Sequence, residues 1–290
     1  MGGRMTLELH ATPEEVMQAV EKLEAFARSE RVPEPMIFGL MLALEECASN
    51  IVNHAYRRDA SQMFQVILAR DRETFTIELR DHGPAFDPTR ITRRAAQADD
   101  DDPGGWGIEL VRRNTDEMHY LRESAENVLR LRRNVGSAQP AGNDFQTIVS
   151  KPSKPKSKGQ TMPLEIKIQK DVASQGATGA TVKLKGSLDT MTSPDLEQQL
   201  GDLLKSESKI TDIVFDLEQL KFVSSAGLRV FGNTRKQLKE RNGQAVFVNL
   251  QPQIQEVFDI MRSLPGIAIF KDVAELDKYL AARQRSYTQK

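Results

Sequence analysis

Residues 45–56 read Glu-Glu-Cys-Ala-Ser-Asn-Ile-Val-Asn-His-Ala-Tyr, and the spacing of their polar members decides how the first half of the chain is read. Glu46, Asn50 and His54 recur at i, i+4 and i+8, which puts them on one face of a helix. A carboxylate one turn before a carboxamide suits phosphoryl transfer. That chemistry needs a group to orient or deprotonate the nucleophile and a metal held by one or two protein oxygens. The same residues would also serve as the solvated side of an amphipathic helix.

Two further segments bear on the choice. Asp81-His82-Gly83-Pro84-Ala85-Phe86-Asp87-Pro88 closes an alternating strand. Asp81 there is placed to accept from an exocyclic amine, and Gly83 to let the backbone approach a flat ligand. Asp, Gly and Pro also favour an ordinary turn. Gly104-Gly105-Trp106-Gly107 leads into a helical pattern. A glycine-rich loop feeding a helix N-terminus offers free N–H groups and a favourable dipole to an anion. No Gly-x-x-x-x-Gly-Lys-Ser/Thr run occurs, which excludes a Walker-type ATPase.

Working outward, Thr12-Pro13-Glu14-Glu15 predicts a helix start, with helices over about 13–29 and 34–56. Alternating runs at 65–69 and 75–80 predict strands. Residues 88–105 read as a loop or lid, followed by a helix over 107–117 and strands near 117–122 and 127–133. Helices on one face of a mostly antiparallel sheet give an α+β architecture for residues 1–134. Residues 135–161, rich in Pro, Ser, Gly and Lys, are expected to be a flexible linker. Residues 162–290 alternate strands near 164–170, 180–187, 211–216, 244–250 and 267–270 with helices near 193–207, 225–241, 252–263 and 273–285, the pattern of a second, α/β domain.

Bulk properties narrow the classes. The net charge is −1, so no global field points to nucleic acid or an anionic membrane. Residues 1–134 carry about −6 and the remainder about +5, and the basic residue type shifts from Arg to Lys at the same place. One cysteine, Cys47, rules out an internal disulfide and fits a reducing compartment. The longest apolar run, Met36–Leu44, is about half a membrane span. A cytoplasmic protein without direct membrane or nucleic-acid contact is expected.

The order and spacing of the three N-terminal segments resemble the GHKL (Bergerat-type) ATP-binding sandwich, and within it the anti-sigma factor serine kinases. Their first motif, Glu-x-x-x-Asn-x-x-x-His-(Ala/Gly)-Tyr, is matched by Glu46 through Tyr56. The resemblance implies ATP and Mg2+ as cofactors, Glu46 as base on an acceptor serine and Asn50 as magnesium ligand. It also implies Asp81 as the adenine reader beside Gly83, and Gly105 and Gly107 as phosphate-loop glycines. Ala85 and Trp106 depart from the usual Gly and Leu, Arg or Met. His54 is read as a packing residue at the helix end.

Residues 162–286 resemble the STAS domain of anti-sigma factor antagonists, through Gly186-Ser187-Leu188-Asp189 and Phe222-Val223-Ser224-Ser225-Ala226-Gly227-Leu228. The usual pattern there is Phe-(apolar)-Asp-Ser-Ser/Thr-Gly-Leu, so Ser225 takes the phosphoacceptor position, with Ser224 the minor alternative. Ser224 stands in place of the usual Asp. Either serine would also serve as an N-cap. Together the resemblances imply a bifunctional partner-switching regulator. A serine kinase and anti-sigma-type domain is fused to a phosphorylatable STAS domain that it acts on in cis or in a second chain. They further imply a sigma factor or other regulatory protein as target, and a homodimer. The alternatives are a non-catalytic, ATP-gated interaction module and an ATP-hydrolysing machine using Glu46 on water.

Overall fold

The computed structural model describes residues 2–91, 106–136, 148–150, 163–172, 178–261, 268–270 and 275. They fall into two compact units, each built on its own sheet.

The first unit opens with a strand absent from the sequence reading, β1 (Arg4–His10), although Met5, Leu7 and Leu9 alternate as a half-buried strand should. α1 (Pro13–Ser29) begins at Thr12, whose Oγ1 accepts from the Glu15 N–H at 3.3 Å, while Glu15 reaches back to accept from the His10 N–H at 2.7 Å. The first bond satisfies a donor of the first helical turn, and the second ties the end of β1 to that turn. α2 (Glu34–Asn50) has 11 of its 17 residues buried, including Glu45 and Glu46, so it is a core helix rather than an amphipathic surface one. The span Glu34–Ala55 is long and apolar enough to cross a membrane, but its buried side belongs to the hydrophobic core of this unit.

The single helix predicted over 34–56 is interrupted. After Asn50 the backbone widens into one π-helical turn, Ile51–Ala55, closed by the Tyr56 N–H donating to the Ile51 carbonyl at 2.9 Å. A wider turn breaks the four-residue repeat, so His54 leaves the line set by Glu46 and Asn50. Arg57 and Arg58, both at positive φ, then turn the chain toward β2 (Met63–Arg70). β3 (Thr74–Asp81), α3 (Trp106–Asn114), β4 (Glu117–Glu123) and β5 (Glu126–Asn134) follow. Ser124 and Ala125, both at positive φ, make the two-residue turn between β4 and β5 whose twist matches an antiparallel hairpin.

The sheet order is β4-β5-β3-β2-β1-β6. The neighbours from β4 to β1 are antiparallel, as expected. β6 (Ile148–Ser150) lies parallel to β1, pairing at Met5, Thr6 and Leu7. This strand falls inside the stretch expected to be linker, so part of that stretch belongs to the first unit. The rest of the linker from 137, and most of the lid from 92 to 105, lies outside the described residues.

The second unit has sheet order β11-β10-β9-β8-β7. β8 (Thr178–Leu188), β9 (Ile210–Val223), β10 (Gln244–Val248) and β11 (Ala268–Phe270) are parallel, and β7 (Glu165–Val172) is an antiparallel edge. Between the strands run α4 (Ser193–Ser206), α5 (Ser225–Glu240) and α6 (Pro252–Met261). Phe215 of β9 and Phe247 of β10 stack at 5.1 Å, and Phe231 of α5 and Phe258 of α6 meet Phe247 edge-on at 5.2 and 4.9 Å. All four rings are buried and lock two helices to the sheet. The predicted helix 273–285 lies outside the described residues, apart from helical Glu275.

Candidate active site and acceptor serine

In the first unit a cleft of about 210 Å³ opens where the end of α2 faces the end of β3. Asn50 and Asp81, one on each wall, both line it. Asp81 is the last residue of β3 and 7% exposed. Its Oδ1 accepts from the Gly83 N–H and from Asn127 Nδ2, each at 2.8 Å. Both bonds fall on one oxygen, leaving Oδ2 without a protein donor among the described residues. A buried carboxylate with a spare acceptor on a cleft wall suits a ligand that presents an amine. Gly83 admits no side chain: a Cβ would lie 2.7 Å from Ala55 Cβ and 3.0 Å from Asp81 Oδ1.

Asn127, Tyr120 and Arg122 of the β4–β5 hairpin were not singled out by the sequence. Asn127 is the partner of Asp81 in the β3–β5 register and is buried. Its Oδ1 accepts from the Tyr120 hydroxyl at 2.7 Å and from the Arg122 guanidinium. Arginine has donors only, so the oxygen of the Asn127 amide must face it and the NH2 must face Asp81. Asn127 Nδ2 also reaches the carbonyls of Gly83 and Pro84, and Arg122 holds the Gly83 carbonyl at 3.0 Å. The loop after β3 is thus clamped from the hairpin. Tyr56, which ends the first motif, clamps it from the other side. Its hydroxyl accepts from the His82 N–H at 2.8 Å and donates to the Met63 carbonyl at 3.1 Å. Burial raises the pKa of that phenol, keeping it protonated.

Glu46 is 3% exposed, one turn before Asn50. Cys47 lines the cleft as a buried apolar group, its thiol pushed well above the ordinary range by burial and by the Glu46 and Glu45 carboxylates. His54, expected to be a packing residue, is exposed and lines the cleft.

The structure places Gly107 within α3 rather than before it, and Trp106 is the first residue of that helix. Gly105 lies outside the described residues. The Trp106 indole Nε1–H is buried with no hydrogen-bond partner among the described residues, a donor at a helix start that would suit an acceptor ligand. Among the described residues no group of three metal-ligating side chains occurs. Magnesium takes only one or two protein oxygens, and the Asn50 side chain on the cleft wall offers one.

In the second unit Ser224 occupies the N-cap position of α5 in extended geometry, and Ser225 is the first helical residue. The Ser224 side chain makes no cap bond. Its Oγ is fully buried without a hydrogen-bond partner among the described residues, while its N–H donates to the Leu188 carbonyl at 2.9 Å. Ser225 is 3% exposed, and its Oγ accepts from Arg229 Nη2 at 3.2 Å. Gly227 lets this turn sit against the 188–192 loop, since a Cβ would meet Leu188 Cγ at 2.6 Å.

Asp189 closes that loop. Its Oδ1 accepts from the Met191 and Thr192 N–H groups at 2.8 and 3.1 Å, and Oδ2 is buried without a hydrogen-bond partner among the described residues. Burial raises the pKa of this carboxyl, against the lowering effect of those hydrogen bonds. The folded state therefore binds the proton more tightly than the unfolded one. The stabilisation is full below the unfolded value of 3.8 and is lost as pH rises through the folded one. Asp189→Asn, which cannot titrate, is expected to lose less stability than the native chain as pH is raised from 4 to 7. Thermal melts across that range check it; equal losses in the two proteins would contradict it.

Comparison with known proteins agrees with both halves. Residues 9–133 match the histidine kinase-like ATPase domain, and residues 165–276 match the STAS domain. The serine/threonine-protein kinase BtrW of Bordetella bronchiseptica is 32% identical over 128 residues, covering 43% of this chain and 90% of that relative. The putative anti-sigma factor antagonist BtrV of the same organism is 37% identical over 78 residues, covering 27% of this chain and 65% of that relative. The anti-sigma-B factor antagonist of Staphylococcus aureus is 30% identical over 79 residues, covering 27% of this chain and 71% of that relative. The chain belongs to the histidine kinase-like ATPase family through its first unit and to the STAS family of anti-sigma factor antagonists through its second, a kinase-type domain and an antagonist-type domain in one polypeptide.

Proposed function

We propose that the first unit is an ATP-dependent protein serine kinase whose acceptor is Ser225 of a STAS domain, on the same chain or on a second copy. The observation that carries this reading is the pairing of Glu46 and Asn50 on successive turns of α2 beside the Asp81 cleft, in a chain that also sets a serine at the start of α5. Asp81 Oδ2 accepts the adenine amine while Asn127 and Gly83 hold its other oxygen. Asn50 supplies the metal-binding oxygen, and the start of α3, with Gly105 and Gly107, takes the phosphates. Bound magnesium supplies charge neutralisation on the triphosphate.

Glu46 removes the proton from the Ser225 hydroxyl. A bond forms between Oγ and the γ-phosphorus, the bond from that phosphorus to the β,γ-bridging oxygen breaks, and ADP leaves with that oxygen. The unphosphorylated STAS unit would compete for a regulatory protein, a sigma factor or another target bound by the kinase-type unit, and the phosphorylated form would release it. A cytoplasmic homodimer is the assembly this reading favours.

A second reading, an ATP-gated interaction module without transfer, is favoured by one observation: Ser225 is only 3% exposed, with Arg229 against its hydroxyl. Intact-mass and phosphosite mass spectrometry after incubation with ATP and magnesium separates the two. One added phosphate, lost in Ser225→Ala and kept in Ser224→Ala, is expected. ATP binding with no phosphate gained would select the gated module, and steady phosphate release without phosphoprotein would select simple hydrolysis.

A further inference from the structure

Arg229 is an exposed cation one helical turn after Ser225. Its guanidinium has a single hydrogen-bond partner among the described residues, the Ser225 hydroxyl. It forms no salt bridge there, and the first turn of α5 contains no acidic residue. An arginine that finds no carboxylate normally extends into water, where both its charge and its donors are best solvated. This one lies over a neutral hydroxyl, spending one of five donors on a weak acceptor. The position before Ser225 carries Ser224, so no charge precedes the acceptor on its own segment. Asp189, on the loop packed against this turn, is a buried carboxyl group whose Oδ1 is already engaged by residues 191 and 192.

We infer that Arg229 is the positioning residue that reads the phosphorylation state of Ser225, closing its guanidinium on the phosphoryl group and holding it as a charge-assisted pair at the start of α5. The inference rests on Ser225 as the acceptor. A guanidinium at 3.2 Å from Oγ needs only a small side-chain rotation to meet two phosphoryl oxygens, and the planar fork matches them bidentately. The dipole at the start of a helix favours the same anion. In the unphosphorylated state Arg229 shields the hydroxyl and leaves its remaining donors at the surface. In the phosphorylated state those donors are withdrawn, so a partner surface that depends on the cation loses it at the moment it meets a new anion.

Phosphorus NMR reads this directly. Phosphoserine is encoded at position 225 of the full chain, so the sample does not depend on the chain's own kinase activity. The midpoint of its second ionisation, about 6 for a free phosphoserine, is then followed in the native background and in Arg229→Gln and Arg229→Lys. A cation in direct contact favours the dianion, so the native midpoint is expected about one unit below that of Arg229→Gln, with Arg229→Lys between them. Equal midpoints in the three proteins would overturn the inference. Arg229 is exposed, so the unphosphorylated variants should melt with the native chain. Were Arg229→Gln to unfold, Arg229→Lys alone decides by its displacement from native. Failure of the kinase reading shows separately, as absence of phosphate on the unmodified chain after incubation with ATP.

Discussion

Glu46→Gln is expected to bind ATP with near-native affinity yet to transfer phosphate to Ser225 about 10²–10⁴-fold more slowly, the usual effect of losing a general base. The side chain is buried one turn before Asn50 and does not line the cleft that receives the base, so binding and chemistry should separate. Glutamine keeps the shape of this buried side chain. The fold should therefore survive, and a melt with the native midpoint would verify it. Single-turnover transfer followed by mass spectrometry gives the rate, and titration with a fluorescent ATP analogue gives the affinity. A variant that transfers at the native rate would remove Glu46 as the base. A variant that no longer binds nucleotide would make it a structural support of the site.

Asp81→Asn is expected to weaken ATP binding by about 10–100-fold, equivalent to about 1.4–2.8 kcal/mol, the range of one hydrogen bond to a charged group. The direction follows from the clamp. Gly83 N–H and Asn127 Nδ2 both donate to Oδ1, so an asparagine at 81 must keep its oxygen there and turn its NH2 into the cleft. That NH2 meets the adenine amine donor to donor. Guanine offers a carbonyl oxygen at the corresponding place, so the ratio of GTP to ATP affinity should rise in the variant. Calorimetric titration with both nucleotides measures the pair. An unchanged ratio would mean that Asp81 supports the loop without reading the base.

The parts of this site that were legible in the sequence are those whose chemistry is local. Asp81 and Gly83 are two residues apart, and their roles follow from a strand end and a tight backbone. Glu46 and Asn50 are one helical turn apart on α2, and helical spacing alone brings them to one face. Asn127 lies 46 residues from Asp81 and meets it only through the β3–β5 register, which no local pattern states. Arg122 and Tyr120 join because a two-residue turn folds β4 back onto β5. The π turn has no local signature of its own. An apolar run through Ile51 and Val52 suits an α-helix equally well, and only the closing bond from Tyr56 to Ile51 distinguishes them. β1 carries its alternation over only three apolar residues, Met5, Leu7 and Leu9. Arg229 sits on an exposed face where arginine is ordinary, and only its contact with Ser225 sets it apart.

The short strand β6 changes where this protein can be divided. A fragment ending at residue 134, where composition suggests a border, would lose the segment that hydrogen-bonds to β1 at Met5, Thr6 and Leu7. It would leave an unprotected row of N–H and C=O groups along the sheet, the kind of margin on which identical chains add strand to strand. Self-association of such a fragment would then report the severed backbone rather than the native assembly. A version of this chain that carries the first unit alone should be cut after Ser150.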